Sequence, residues 1–220
     1  MKYMDLQKHH KPTFDNISAE KRKRILDAAT GEFALKGFEN ANMNTIAKKA
    51  DVSVGSLYKY FENKQDLFLT VIHHSIQSME ELLTVLAESD EDILVKVERI
   101  IREIQHSSKE SAVLLKLYNA MTAENNPRFA SQFAYEMEAL TAHIYRLAIE
   151  AGQKNGDIRT DISAPFAAFL LDNIFMSLQF SYACDYYIER FRIYVGNDIT
   201  GRDDFVVEQC LKFVKSALKK

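Results

Sequence analysis

Apolar residues recur at three- and four-residue intervals along nearly the whole chain after residue 17, and no alternating β-branched run stands between turn signals, so the pattern predicts an all-α protein. Ser18 precedes a stripe of Ile25, Ala28, Ala29 and Phe33, which predicts a capped helix over residues 19–36 with Gly37 as its left-handed stop. Asn42 heads a short helix over 43–50, with Ile46, Ala47 and Ala50 on one side, and Ser53 heads another over 54–61. Between them Asp51 and Val52 turn the chain. Asn63, with Asp66 three residues on, opens a long helix over 64–88 striped by Leu67, Val71, Ile72, Ile76, Met79, Leu83 and Leu86. Further helices are predicted at 91–106, 109–122, 127–152 behind Asn126 and Pro127, 164–190 behind Ser163, and 203–219. Gly156-Asp157 and the stretch from Gly196 to Gly201 are the clearest connections.

Composition narrows the class. With 220 residues, 47% hydrophobic and 27% charged, seven Gly and three Pro, the chain can bury a sizeable core and is not collagen-like, linker-like or low-complexity. Its most apolar stretch, 164–180, is broken by Pro165, Asp172, Asn173 and Gln179, which argues against a membrane span. Lys2, Asp5, Lys8, His9, His10 and Lys11 stand where a signal peptide needs apolar residues, so a cytoplasmic location with no membrane partner is expected. Cys184 and Cys210 give neither a disulfide framework nor metal-ligand spacing and are expected to be reduced, buried thiols. The net charge of −3 conceals a division: residues 1–64 carry twelve Lys/Arg against eight Asp/Glu, a net +4, and the remainder carries −7. A basic head on an acidic body fits a phosphate-binding module attached to something with another task.

Residues 42–60 have the proportions of a helix-turn-helix, the module that lays its second helix in the major groove of DNA. That second helix offers Ser53, Ser56, Tyr58, Lys59 and Tyr60 as hydroxyls and a cation, with Leu57 and Phe61 as an inward stripe. Gly55, in its first turn, costs helix stability and would let the backbone approach a phosphate or base edge. Gly37-Phe38, the run from Ile46 through Asp51-Val52-Ser53-Val54-Gly55-Ser56-Leu57-Tyr58-Lys59-Tyr60-Phe61, and Asn63-Lys64-Gln65-Asp66-Leu67 together resemble the DNA-binding head of the tetracycline-repressor (TetR) family of bacterial regulators. The motif match covers residues 18–70; beyond them the resemblance is one of helix number and order.

The resemblance implies a three-helix helix-turn-helix DNA-binding head over 18–63 and a larger helical effector-binding and dimerisation body over 64–220, and the polar residues 1–17 ahead of them are expected to form a flexible N-terminal arm. The arm could instead reach a minor groove through Lys2, Lys8 and Lys11. By position in the family motif, Asn42, Asn44 and Thr45 would touch the DNA backbone. Ser53, Val54, Gly55, Ser56, Tyr58, Lys59 and Tyr60 would face bases and phosphates, and Lys64 would clamp a phosphate. Asp51 departs from the family's usual turn Gly but tolerates left-handed geometry, and Val54 fits a thymine methyl or a sugar, not a hydrogen bond.

Nine of the chain's twenty-four Tyr and Phe residues fall between Phe166 and Tyr194, which reads as core and subunit interface. The family pattern implies that the last two long helices pair with their copies in a homodimer through Phe169, Leu170, Leu178, Leu211, Val214 and Leu218, so that two heads read a palindromic operator. It also implies an effector cavity, for which Tyr118, Met121, Phe133, Met137 and Asn173 are the candidate lining. The expected function is a DNA-binding transcriptional regulator, a repressor released from its operator by a small molecule; the alternative is a helical ligand-binding or interaction module without DNA activity. No enzyme is expected. Glu103-Ile-Gln-His106 is a lone copy of an element that di-iron sites need twice, His73 and His74 point in different directions, and no phosphate loop, nucleophile elbow or paired-cysteine site is present, so neither metal nor cofactor is expected.

Overall fold

The computed structural model describes residues 8–110, 112–121, 127–199 and 201–219, with side chains over the same residues except 75–80, 120, 121, 127–130, 132, 133, 136 and 137. Among the described residues the order is α1 (Pro12–Asp15), α2 (Ala19–Asn40), α3 (Met43–Lys49), α4 (Val54–Tyr60), α5 (Lys64–Glu88), α6 (Ile93–Glu110), α7 (Ala112–Met121), α8 (Pro127–Asn155), α9 (Ala164–Ala183), α10 (Asp185–Val195), a 3-10 turn at Asn197–Ile199, and α11 (Asp203–Leu218), with no strand. Two compact units result: Met1–Gln77 with Lys116–Asn125, and Ser78–Leu115 with Asn126–Lys220.

In the first unit, capping explains where the helices begin. Ser18 Oγ accepts from Lys21 N at 3.3 Å, Asn42 Oδ1 from Asn44 N at 2.8 Å, Ser53 Oγ from Ser56 N at 3.1 Å and Asn63 Oδ1 from Asp66 N at 2.9 Å. Gly37 interrupts α2 with φ 70° and ψ 168°, after which one more turn runs to Asn40. Ile25, Phe33, Ile46, Leu57, Phe61 and Phe68 are fully buried and form the core, with Phe33 and Phe68 in edge-on contact at 5.1 Å.

The arm expected over 1–17 is packed where it is described. Residues 8–16 lie against the head, α1 touches α4, and Phe14 is 3% exposed with its ring 4.8 Å from Phe61 and 5.8 Å from Tyr60. Sequence pattern misses this element because a four-residue helix has no period to show; burial of Phe14 is what holds it.

In the second unit α9 packs on α6, α8 and α10, while α11 lies on α6. Gln105, 5% exposed, donates to Tyr182 Oη and to Asp203 O at 2.9 Å each, joining α6 to α9 and α11. Lys219 pairs with Asp92, and Arg102 with Asp204 at 3.0 Å. The single helix expected over 164–190 is two. Cys184 is extended (φ −103°, ψ 125°), its N–H closes α9 onto Phe180 O at 2.8 Å, and Asp185 opens α10. Gly152 lets the chain fold back after α8, since a Cβ there would lie 2.5 Å from Ile158 Cδ1.

Candidate nucleic-acid interface

The turn between α3 and α4 is built from backbone geometry that its sequence can supply. Asp51 is the one non-glycine residue with positive φ (54°) among the described residues. Its N–H donates to Lys48 O at 3.3 Å, and Val52 N–H donates to Ala47 O at 3.0 Å, the two reversed bonds of a Schellman stop with aspartate in the left-handed position. Val52 then leads directly to Ser53, whose hydroxyl caps α4 and lies 2.8 Å from Ser56 Oγ.

An ion pair between a buried carboxylate and an exposed lysine ties α3 to α2. Glu32 is 3% exposed, and its carboxylate accepts from Lys49 Nζ at 2.8 Å. The Lys49 ammonium, then the Asn42 backbone N–H, hold this carboxyl below its usual range against the opposing effect of burial. One carboxylate thus holds both ends of α3, which keeps the exposed face of that helix in register with α4.

The predicted contact residues divide by orientation. Asn42, Asn44, Ser53, Gly55, Tyr58 and Lys59 are exposed, and Thr45, Val54 and Ser56 are half-buried, so α3 and α4 present them together at the surface of the first unit. A Cβ added at Gly55 meets only Ser53 Oγ, at 3.9 Å, so the position is open. Tyr60 does not join them. It is 8% exposed, sits three residues from Leu57 on the inward stripe and meets Phe14, so its ring belongs to the core. Lys64 also has another role: its ammonium donates to Glu39 O at 2.8 Å and Ala41 O at 3.2 Å and lies 4.9 Å from the Phe38 ring, capping the end of α2.

Sequence reasoning missed Lys11 and Thr13. Lys11 N donates to Tyr60 O at 2.7 Å, Lys11 Nζ to Tyr58 O at 3.1 Å, and Thr13 Oγ1 to Lys59 O at 2.6 Å. Partners 46 and 47 residues apart leave no local signature, and the only available signal was an aromatic residue, Phe14, in an otherwise polar segment.

In the second unit, α9, α10 and α11 border an apolar groove of about 510 Å³ lined by Leu170, Leu178, Phe213, Val214 and Leu218 among others. Of the predicted interface residues, Phe169 (58%) and Leu170 (46%) are exposed and Leu211 is half-buried, whereas Leu178, Val214 and Leu218 are buried within the chain itself. Phe166 and Phe213, not predicted, extend the exposed apolar surface at 57% and 65%. Of the residues expected to line an effector cavity, Asn173 and Tyr118 have described side chains. Asn173 is exposed, donates to Phe169 O at 2.7 Å and borders the α9–α11 groove; Tyr118 is half-buried in the first unit; the side chains of Met121, Phe133 and Met137 lie outside the described residues.

Elsewhere in this unit Tyr145, 7% exposed, lies edge-on to Phe175 at 5.5 Å, and burial followed by the nearby charges of Asp172 and Glu138 raises its hydroxyl pKa. Asp172 is pushed up to about 7, by burial and then by Glu138. Among the described residues no group of three or more His, Cys, Asp or Glu side chains could hold a metal ion, and no helix is long and apolar enough to cross a membrane.

Comparison with known proteins agrees with this geometry. A family model described as bacterial regulatory proteins, tetR family, matches residues 25–71, from α2 into α5. The HTH-type transcriptional regulator UidR of Escherichia coli (strain K12) is 30% identical over 162 residues, 71% of this chain and 80% of UidR. In fold, the chain is similar to the crystal structure of a TetR family transcriptional regulator from Chloroflexus aurantiacus J-10-fl, with a TM-score of 0.66 and 21% identity over 96% of this chain and 99% of that one. It is also similar to AibR solved in complex with isovaleryl coenzyme A and operator DNA, with a TM-score of 0.62 and 14% identity over 90% and 99% of the two chains. A likeness to UidR that runs so far past the helix-turn-helix makes this chain a member of the TetR family of bacterial transcriptional regulators.

Proposed function

We propose that this regulator is a homodimeric repressor that grips a palindromic operator through α3 and α4 of each copy and lets go when a small molecule occupies its body. The observation that carries the reading is the sorting of α4: Leu57, Tyr60 and Phe61 are buried, while Ser53, Gly55, Tyr58 and Lys59 stay exposed beside Asn42 and Asn44. Hydroxyls, an amide pair, a bare backbone and a cation on one face suit phosphate and base edges.

In this reading residues 18–63 form the DNA-binding head and 64–220 the effector-binding and dimerisation body. Asn42, Asn44 and Thr45 hold the DNA backbone, and Ser53, Val54, Gly55, Ser56, Tyr58 and Lys59 enter the groove. Phe169, Leu170 and Leu211, together with Phe166 and Phe213, supply the surface that a second copy covers, because exposed aromatics clustered on one face are costly to leave in water. AibR, with both operator DNA and isovaleryl coenzyme A bound, supports the pairing of a DNA site with an effector site in this fold. An effector that binds one arrangement of the body better than the other shifts the population away from the DNA-holding form. A cytoplasmic location follows from DNA as the partner.

Fluorescence anisotropy with a duplex from the DNA upstream of the chain's own coding sequence, titrated at several salt concentrations, tests this reading. Sequence-preferring binding that weakens linearly in log–log form as salt rises is expected. Equal binding to scrambled duplex, or none, refutes the DNA assignment; a strictly monomeric species in sedimentation refutes the dimer.

A further inference from the structure

A helix of seven residues cannot hold itself. The last four carbonyls of any α-helix lack partners within it, and in α4 those are Leu57, Tyr58, Lys59 and Tyr60. Each one is satisfied. Leu57 O accepts from Phe61 N at 2.8 Å, and the remaining three accept from the segment ahead of α2: Tyr58 O from Lys11 Nζ at 3.1 Å, Lys59 O from Thr13 Oγ1 at 2.6 Å and Tyr60 O from Lys11 N at 2.7 Å. The Lys11 ammonium also stands at the negative end of the helix dipole and pairs with Glu62 at 2.8 Å.

The segment is itself anchored on three sides. Phe14 is buried against Tyr60 and Phe61, Arg22 of α2 donates to Asp15 O at 2.9 Å, and the ring of His9, 6% exposed, lies edge-on to His73 of α5 at 5.2 Å. Lys8 and His10 hold the Asp15 carboxylate at 3.0 Å each. Donors on so anchored a segment are presented to α4 at fixed positions, which a free tail could not do.

We propose that Lys11 and Thr13 are positioning residues for DNA recognition: they complete the C-terminal cap of α4, to which the chain next to the helix contributes the Phe61 N–H. They hold Tyr58 and Lys59 at the angle the groove requires while standing at the opposite end of the helix from Ser53. The proposal rests on the DNA reading above for its consequence, and on the hydrogen-bond geometry alone for its mechanism.

The test uses the full chain and the duplex that the wild-type protein enriches from a random-sequence library. Lys11→Met/Thr13→Val removes two of the three donors and leaves Phe14 in place. It is expected to bind that duplex about five- to thirtyfold more weakly, the range two modest hydrogen bonds give. Amide hydrogen exchange at Lys59, Tyr60 and Phe61 is expected to quicken while α2 and α3 keep their protection and the melting midpoint falls by only a few degrees, about 2–4 °C per kcal/mol lost. Thr13→Ser, which keeps the donor, is expected to match wild type. Thr13 is exposed, so Thr13→Val alone provides a folded variant should the double change misfold. Wild-type affinity, unchanged exchange in α4, or protection lost equally across α2, α3 and α4 overturns the proposal. Failure of the wild-type chain to enrich any duplex refutes the DNA reading instead, and the exchange measurement still decides whether Lys11 and Thr13 hold the helix.

Discussion

Replacing Gly55 by alanine should stabilise the protein and weaken its hold on DNA, two effects of opposite sign from one methyl group. Gly55 is the second residue of α4, exposed, and its φ is not positive, so an L-residue adopts the same backbone without strain. The added Cβ would have one neighbour within 4 Å, Ser53 Oγ at 3.9 Å, an ordinary contact. Alanine for glycine inside a helix is worth roughly 0.5–1 kcal/mol, and the lower figure applies so near the N-terminus. In a chain of this size that raises the melting midpoint by about 1–2 °C. On DNA the balance reverses: a methyl that holds a phosphate off the backbone forfeits a charge-assisted hydrogen bond of about 1.5–3 kcal/mol, roughly ten- to hundredfold in affinity. Urea denaturation of free protein and anisotropy with a cognate duplex read the two effects separately. A variant that binds within about twofold of wild type would show that no backbone approach occurs at this residue, and the reasoning from the bare helix face would fail; a loss of stability would contradict the open space around it.

Other outcomes follow from the same geometry. Asp51→Val places a β-branched residue at φ 54° and should cost about 1–2 kcal/mol in urea denaturation, whereas Asp51→Gly should be at least neutral; equal stability of the two would refute the turn geometry. Glu32 has a depressed pKa, so its contribution is present above the usual glutamate value and is lost as pH falls through the lowered one; Glu32→Gln should remove that acid limb from a plot of stability against pH. Asp172 titrates in the opposite sense. With its native pKa near 7 against 3.8 unfolded, the folded state holds a proton that the unfolded chain releases, so stability should fall as pH rises between those values, and Asp172→Asn should flatten that slope and be the more stable protein at pH 8. Leu170→Glu and Phe213→Glu should each give monomers in sedimentation velocity with helical circular dichroism intact, and dimers persisting in both would move the interface elsewhere.

What the sequence made legible was local. Ser18, Asn42, Ser53 and Asn63 each accept the cap bond that their spacing predicts, and Asp51 adopts the left-handed turn, because capping and turn preferences act within a few residues. Motif position and a hydroxyl place Tyr60 on the DNA face, whereas the helical period groups it with Leu57 and Phe61 as an inward i, i+3, i+4 set, and the ring is buried. Lys64 is placed at a phosphate by its motif position, whereas the partners its ammonium meets, Glu39 O and Ala41 O, are 25 and 23 residues away and carry no side-chain signature. The break at Cys184 was hidden by apolar spacing that continues through it, with only the acidic start of α10 to mark a new helix.

The aspartate at the hinge of the two short helices also limits how the gene can drift. One base change turns an aspartate codon into those for glycine, asparagine, histidine, alanine, valine, tyrosine or glutamate, and of these glycine and asparagine suit the reversed backbone at residue 51 best. Natural variants should therefore interchange among those small residues at this codon, while the bulkier neighbours in the code are removed by selection on folding before any base is read.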